Sequence, residues 1–437
     1  MRWLLLRATR VFFRRIEVSG AANLPREGEG AAIFCGNHPN SLLDPVLITT
    51  YCGRIVHFAA KDVLFQARVL RFFLDALGAV PVKRRTDHPD GRLDNESMFA
   101  ELHRTLGEGR CVGIFPEGIS HNESELAPLK TGAARIALGA KREHPEAPIC
   151  MVPTGLCYFT RSRFRSSVLV QFGRPIEVTE EMANAADEPA MVRDLTDRLA
   201  IALRGLTVNA GSWEQIWVLD GVRRLYQPEG LSLEQRIELS RRFNRVYPRV
   251  KDEKEVRHAY DRVRAYLLRL SAADLKDDVF KREISVRETV GHVAEHLTLL
   301  LSSLPLCLIG APIHMPLGLL FRVSKYFAPR KDVIATTKFL VGFLVVLLVY
   351  TGLAVGVGWR YGVWWGLLAA VVLPLSGRAF LHVVSRVDAL RHMFLTLLRV
   401  ASLRKEVRAL RDERADLQKQ VLQLVDKYRA LADEPTE

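Results

Sequence analysis

The segment Asn37-His38-Pro39-Asn40-Ser41-Leu42-Leu43-Asp44-Pro45 places a histidine and an aspartate with five residues between them, directly after the apolar run Ala31-Ala32-Ile33-Phe34-Cys35-Gly36. A neutral imidazole titrates near ~6.5, which suits removal of a hydroxyl proton at neutral pH. A carboxylate bonded to its other ring nitrogen fixes the tautomer and stabilises the imidazolium as it forms. His38 and Asp44 are therefore read as a general base and its orienter, acting on a hydroxyl nucleophile. An isolated pair of this kind also suits a turn with an Asx cap. On a helix the second side chain would be rotated ~240° from the first, so the two must meet across a loop.

Further loops carry reactive residue types. Gly78-Ala79-Val80-Pro81-Val82-Lys83-Arg84-Arg85 sets three cations in a row after an apolar stretch. Arginine forks bind phosphate through paired charge-assisted bonds, although a solvated basic turn has the same pattern. Phe115-Pro116-Glu117-Gly118-Ile119-Ser120-His121 leaves an apolar run at a Pro–Gly turn, where Glu117 and Gly118 can hold a polyol against exposed amides. Leu126-Ala127-Pro128-Leu129-Lys130-Thr131-Gly132 puts Lys130 at a helix start, where amides and dipole favour an anion. Val152-Pro153-Thr154-Gly155 ends another apolar run.

In this order the loops resemble the glycerol-phosphate/lysophosphatidate acyltransferase superfamily, over about residues 15 to 180. The resemblance implies that His38 is the base and Asp44 its orienter, that Arg84 or Arg85 binds the acceptor phosphate, and that Glu117 and Gly118 position the acceptor. There are two departures. The family's usual His–Asp spacing is one residue shorter, and Ser120 stands where many lysophosphatidate enzymes have arginine, leaving Lys130 and the Arg84–Arg85 pair to supply that charge. The longer spacing followed by Asp-Pro, and the run FPEGxSHxxxxLxPLKxGxAxxAL, are similar to the fungal-type glycerol-3-phosphate/dihydroxyacetone-phosphate branch. That likeness implies transfer of a fatty acyl group from acyl-CoA or acyl-ACP to glycerol 3-phosphate or dihydroxyacetone phosphate in phospholipid biosynthesis. It adds Ser120 and His121 as candidates for the acceptor site. Lysophosphatidate or another lysophospholipid is the alternative acceptor, and an inactive membrane scaffold is the alternative of another class. No cofactor and no metal is expected.

The elements that must position these residues alternate between strands and helices. Strand patterns cover residues 31–36, 54–60, 111–115, 149–153 and 167–172, with helical patterns at 64–77, 93–106 and 131–141. This predicts an α/β domain with a largely parallel sheet over residues 21–205, whose functional loops leave the strand ends. Residues 206–290 are charged and helical, an accessory region. In residues 291–390 the composition becomes that of a membrane region. Phe339 to Trp359 is 21 residues without a charge and Tyr361 to Gly377 is 17, so 338–359 and 361–384 are expected to form a spanning hairpin. Residues 297–321 contain Pro305, Pro312 and Pro316; the positive-inside rule puts in the cytoplasm both the segment after them, with Arg322, Lys325, Arg330, Lys331 and Lys338, and the stretch after the hairpin, with Arg378, Arg386 and Arg391. A re-entrant or interfacial segment is expected there, with the catalytic domain on the cytoplasmic face of a multi-pass protein.

The two ends are amphipathic. Residues 1–20 interleave Trp3, Leu4, Leu5, Leu6, Val11, Phe12 and Phe13 with arginines, as a helix on an anionic lipid surface would, or one docked on its own domain. Residues 399–432 show apolar 3-4 spacing broken by Arg414. This predicts a coiled-coil helix making a homodimer, or one packing on the chain's own helices. The net charge of +13 fits anionic lipid and phosphorylated or CoA-bearing substrates, and no nucleic-acid motif accompanies it. The six cysteines form no C-x-x-C pair and read as buried thiols of a reducing compartment, with Cys111 and Cys157 weighed as nucleophiles.

Overall fold

A computed structural model describes residues 2–66, 68, 71, 74, 75, 78–82, 96–227, 230–281, 286–328 and 330–433. Its first part is a mixed sheet built of β1 (Arg15–Ser19), β2 (Ala31–Gly36), β3 (Val56–Lys61), β4 (Val80–Val82), β5 (Cys111–Ile114), β6 (Ile149–Tyr158), β7 (Ser167–Phe172) and β8 (Ile176–Val178). The order is β1-β7-β6-β2-β5-β3-β4, with β8 also beside β6. Pairing is parallel everywhere except where β6 meets β7 and β8. The expected strand ending at Pro153 instead continues to Tyr158, and the short strands β1, β4 and β8 were not expected. The expected helix at 64–77 lies largely outside the described residues.

Helices cover both faces of the sheet. Ala32 and Phe34 of β2 pack with α1 (Arg2–Phe12) and α2 (Leu43–Tyr51). Ala31, Ile33 and Cys35 face α3 (Glu96–Gly107), α4 (Gly132–Glu143) and α5 (Glu188–Leu206). The strand is thus buried on both sides, as a central parallel strand must be. The expected helix over 1–20 stops at Phe12, because residues 15–19 satisfy their backbone groups along β7 instead. Leu5, Thr9 and Phe12 are buried against the domain, whereas Trp3 and Val11 are exposed.

The accessory region folds as α6 (Trp213–Tyr226), α7 (Leu233–Val250) and α8 (Lys254–Ala272). Then come α9 (Val286–Val323), α10 (Ile334–Tyr361) and α11 (Val363–Ser402), each long and apolar enough to cross a membrane. The helices α10 and α11 form a hairpin, longer on both arms than 338–359 and 361–384. It turns at Gly362, whose φ of 103° suits glycine. A Cβ on Gly366 would lie 2.8 Å from the Cα of Gly358, so the arms approach on small residues. Trp359, Trp364 and Trp365 are exposed around the turn.

In α9 the three prolines do not interrupt the helix. In lipid a proline kinks a helix more readily than it ends one, since no water replaces lost backbone bonds. Near its start, His296 meets Arg386 of α11 at 2.7 Å. Near its end, Phe321 lies against Phe12 and Phe164 and borders Gly342 of α10. Its middle is deeper in the hairpin, where His314 Nε2 bonds the Tyr350 hydroxyl at 2.8 Å. Both ends of α9 therefore lie towards the open end of the hairpin, away from Gly362.

The last long helix, α12 (Arg404–Lys427), takes the second of the two readings given for 399–432, packing on the chain's own helices. Residues 399–402 belong to α11, and the apolar stripe Val407, Leu410, Leu417 and Val421 is buried against α6 and α8 of the same chain. Arg414, the break in that stripe, is buried and donates to Asp277 at 3.0 Å, and Tyr266 donates to the same carboxylate at 2.9 Å. Replacing Arg414 with leucine would leave Asp277 buried without its cation. A loss of about 3–5 kcal/mol in stability is expected, measurable by thermal unfolding of the purified chain.

Candidate active site

The loop between β2 and α2 carries His38, and the first turn of α2 carries Asp44. His38 Nδ1 lies 2.9 Å from Asp44 Oδ2. The extra residue in the spacing is absorbed by the loop, where Ser41 adopts a left-handed φ of 50°. Asp44 is fully buried and also accepts from the Asn40 N–H at 2.8 Å and from the Tyr158 hydroxyl at 2.6 Å. Burial, reinforced by Asp44, pushes the Tyr158 hydroxyl well above the ordinary tyrosine range, so it stays protonated and donates. With three donors on the carboxylate, the His38 tautomer consistent with the geometry carries its proton on Nδ1. Nε2 is then the acceptor nitrogen, without a partner among the described residues. The ring stacks on Phe115, with centroids 4.0 Å apart.

Glu117 is buried behind this pair. One of its oxygens accepts the His38 N–H at 2.8 Å; the other accepts the Ala127 N–H at 2.9 Å and meets the His121 ring. Both oxygens are thus engaged by the protein itself, which makes Glu117 the tie between the His38 loop and the segment after β5. Gly118 turns at φ 75°, and the space its side chain would fill is taken by the Lys130 ammonium. Ser120 Oγ accepts from the Ser41 N–H at 3.1 Å. Glu117, Gly118, Ser120, His121 and Lys130 therefore gather around His38 and Asp44, while Lys83, Arg84 and Arg85 lie outside the described residues.

Residues that spacing did not single out complete the site. The Asn37 amide bonds both ways with the backbone of Leu156, tying the loop to β6. Arg161, after β6, bonds Asn122 Oδ1 at 3.0 Å and stacks on Trp213, and with His38, Glu117, His121 and Asn209 it lines a shallow pocket. Burial lowers its pKa from the usual arginine value. Asn37 lay within the quoted motif; Tyr158 and Arg161 had no local signal. Cys111 and Cys157 are buried, and desolvation raises both thiols, Cys157 to about 11. Inert thiols of this kind do not suit a nucleophile.

Residues 15–156 match the Acyltransferase family model, and residues 218–430 match that of the Glycerol-3-phosphate acyltransferase 2 C-terminal domain. Residues 15–156 thus carry an acyltransferase-family domain, followed over residues 218–430 by a region similar to the C-terminal part of a glycerol-3-phosphate acyltransferase. Glycerol-3-phosphate O-acyltransferase 2 of Saccharomyces cerevisiae is 24% identical to this chain over 461 residues, covering 78% of this chain and 62% of that protein. Glycerol-3-phosphate O-acyltransferase 1 of the same yeast is 30% identical over 285 residues, 59% of this chain and 37% of that protein. The 1-acyl-sn-glycerol-3-phosphate acyltransferase of Bacillus subtilis is 39% identical over 125 residues, 28% of this chain and 56% of that protein. The chain thus spans less than two thirds of the length of each of these relatives.

Proposed function

We propose that this chain moves a fatty acyl group from acyl-CoA or acyl-ACP to a hydroxyl of glycerol 3-phosphate or dihydroxyacetone phosphate. The observation that carries the reading is the His38–Asp44 contact at 2.9 Å, which leaves Nε2 as acceptor beside the pocket. His38 Nε2 takes the acceptor's proton as its oxygen attacks the thioester carbonyl. The tetrahedral intermediate collapses, the C–S bond breaks, and the departing thiolate takes the proton back from the imidazolium. Asp44 stays ionised throughout and holds the ring. Lys130, beside the Gly118 turn, and the Lys83–Arg84–Arg85 run supply charge for the acceptor phosphate, with Ser120 and His121 at the acceptor end.

The match over residues 218–430 favours glycerol 3-phosphate, since it covers the half of the chain outside the acyltransferase domain. The Bacillus relative is similar over 125 residues, 28% of this chain, and favours lysophosphatidate. The α10–α11 hairpin crosses the bilayer, while α9 enters and leaves on one side, consistent with its two ends lying at the hairpin's open end. Lys338 and Arg386 are equally far along the hairpin from Gly362, and the positive-inside rule supports a cytoplasmic location for that end and the catalytic domain, against anionic lipid. The purified full chain, given labelled acyl-CoA, is expected to acylate glycerol 3-phosphate or dihydroxyacetone phosphate in preference to lysophosphatidate. Turnover confined to lysophospholipids would reject the acceptor assignment, and none with either acyl-CoA or acyl-ACP would support a scaffold.

A further inference from the structure

The loop that holds His38 and Asp44 is closed by a residue nearly three hundred positions further on. Thr336 is buried in the first turn of α10, at 5% exposure. Its hydroxyl donates to the Asn40 carbonyl at 2.6 Å and accepts from the Leu43 N–H at 3.2 Å. Those two residues bracket Ser41, the one strained position of the loop. A left-handed serine persists only where its surroundings over-determine it. Asn40 in turn donates its N–H to Asp44 Oδ2, the oxygen that His38 Nδ1 contacts. The hydroxyl therefore acts on the pair through two successive hydrogen bonds.

The neighbours of Thr336 seat it firmly. Ala335 and Phe339 belong to the core that contains Leu43, Leu47 and Phe12, and Phe339 meets Phe12 edge-on at 5.5 Å. Lys338 donates to the Ser162 carbonyl at 2.7 Å. The start of the membrane helix is thus built into the α/β domain and does not merely hang from it. We propose that Thr336 is a positioning residue for the His38–Asp44 pair, so that the membrane hairpin, and not the α/β domain alone, sets their alignment. The proposal rests on the base-and-orienter reading of that pair.

The test uses the full-length chain in detergent or vesicles, with Thr336→Val, Thr336→Ser and His38→Ala measured alongside wild type. Valine keeps the shape and removes both hydrogen bonds; serine keeps the hydroxyl. Misplacement of catalytic groups on this scale costs roughly 10- to 100-fold, so kcat of Thr336→Val should fall by that much. Its KM values should stay within about threefold of wild type, because no group lining the pocket is removed. Thr336→Ser should restore most of kcat, and the thermal midpoint of the valine variant should stay near wild type. A folded Thr336→Val chain with wild-type kcat overturns the proposal. So does a valine variant that fails to fold while serine is active, since the hydroxyl would then serve the fold and not the alignment. Loss of kcat in both variants equally also overturns it. If His38→Ala keeps its turnover, the mechanism itself fails and the proposal falls with it; if only Thr336→Val matches wild type, the proposal alone fails.

Discussion

Replacing His38 with alanine is expected to lower kcat for acyl transfer by at least ~100-fold while leaving the fold intact. The geometry argues for both halves of that result. His38 has a free ring nitrogen beside the pocket, whereas His121, which also lines it, meets the buried Glu117 with one nitrogen and accepts the Glu123 N–H with the other. Structurally its loss is mild. Asp44 would keep the Asn40 N–H and the Tyr158 hydroxyl, and Glu117 would keep the backbone N–H of position 38. What is lost is the stack on Phe115 and one of the donors to Asp44. Steady-state kinetics together with the thermal midpoint check the prediction, and turnover retained in a folded variant rejects the mechanism.

Glu117→Gln should behave differently, damaging stability and rate together. The buried carboxylate satisfies two backbone N–H groups and a histidine ring with two oxygens. An amide offers one oxygen, so its NH2 must face either the His38 N–H or the Ala127 N–H, donor against donor. A buried donor left unsatisfied costs about 1–3 kcal/mol, which sets the expected loss in unfolding free energy. Because the His38 loop is one of the two segments tied, kcat should fall as well. Had Glu117 served chiefly to hold the acceptor, as the motif alone implied, the variant would raise KM for the acceptor with its thermal midpoint unchanged. That pattern would refute the tie.

The difference between those two residues also marks what the sequence made legible. His38, Glu117, Gly118, Ser120 and His121 are legible because they sit in loops just after apolar strands, where side chains of an α/β sheet converge, and Asp44 and Lys130 because they sit at helix starts that follow those loops. Their partners were not all found. Tyr158 bonds Asp44 across 114 residues of chain, and nothing local to Tyr158 marks it. Glu117 was assigned to a ligand because residue type reveals a carboxylate but not whose donors it accepts. The pattern of residues 15–19 continues that of the preceding helix, because an edge strand is defined by its partner, β7, more than by its own pattern. The stripe on α12 illustrates the same limit, since 3-4 spacing is identical whether the covering helix belongs to a second copy or to the same chain. Arg414 was the informative irregularity there; its counter-charge, Asp277, lies 137 residues away.

The Thr336 bond also imposes an order on biogenesis. The hydroxyl that meets Leu43 lies 293 residues downstream of it. At synthesis rates of roughly 5–20 residues per second, the ribosome needs about 15–60 s to cover that distance. Throughout that interval the nascent chain holds both His38 and Asp44 but lacks the helix that closes their loop. The core around Phe12 and Leu43 likewise lacks Ala335 and Phe339 until α10 emerges. The nascent domain therefore holds an incomplete apolar core over that interval, and the loop around Ser41 gains its closing hydroxyl only when α10 is made.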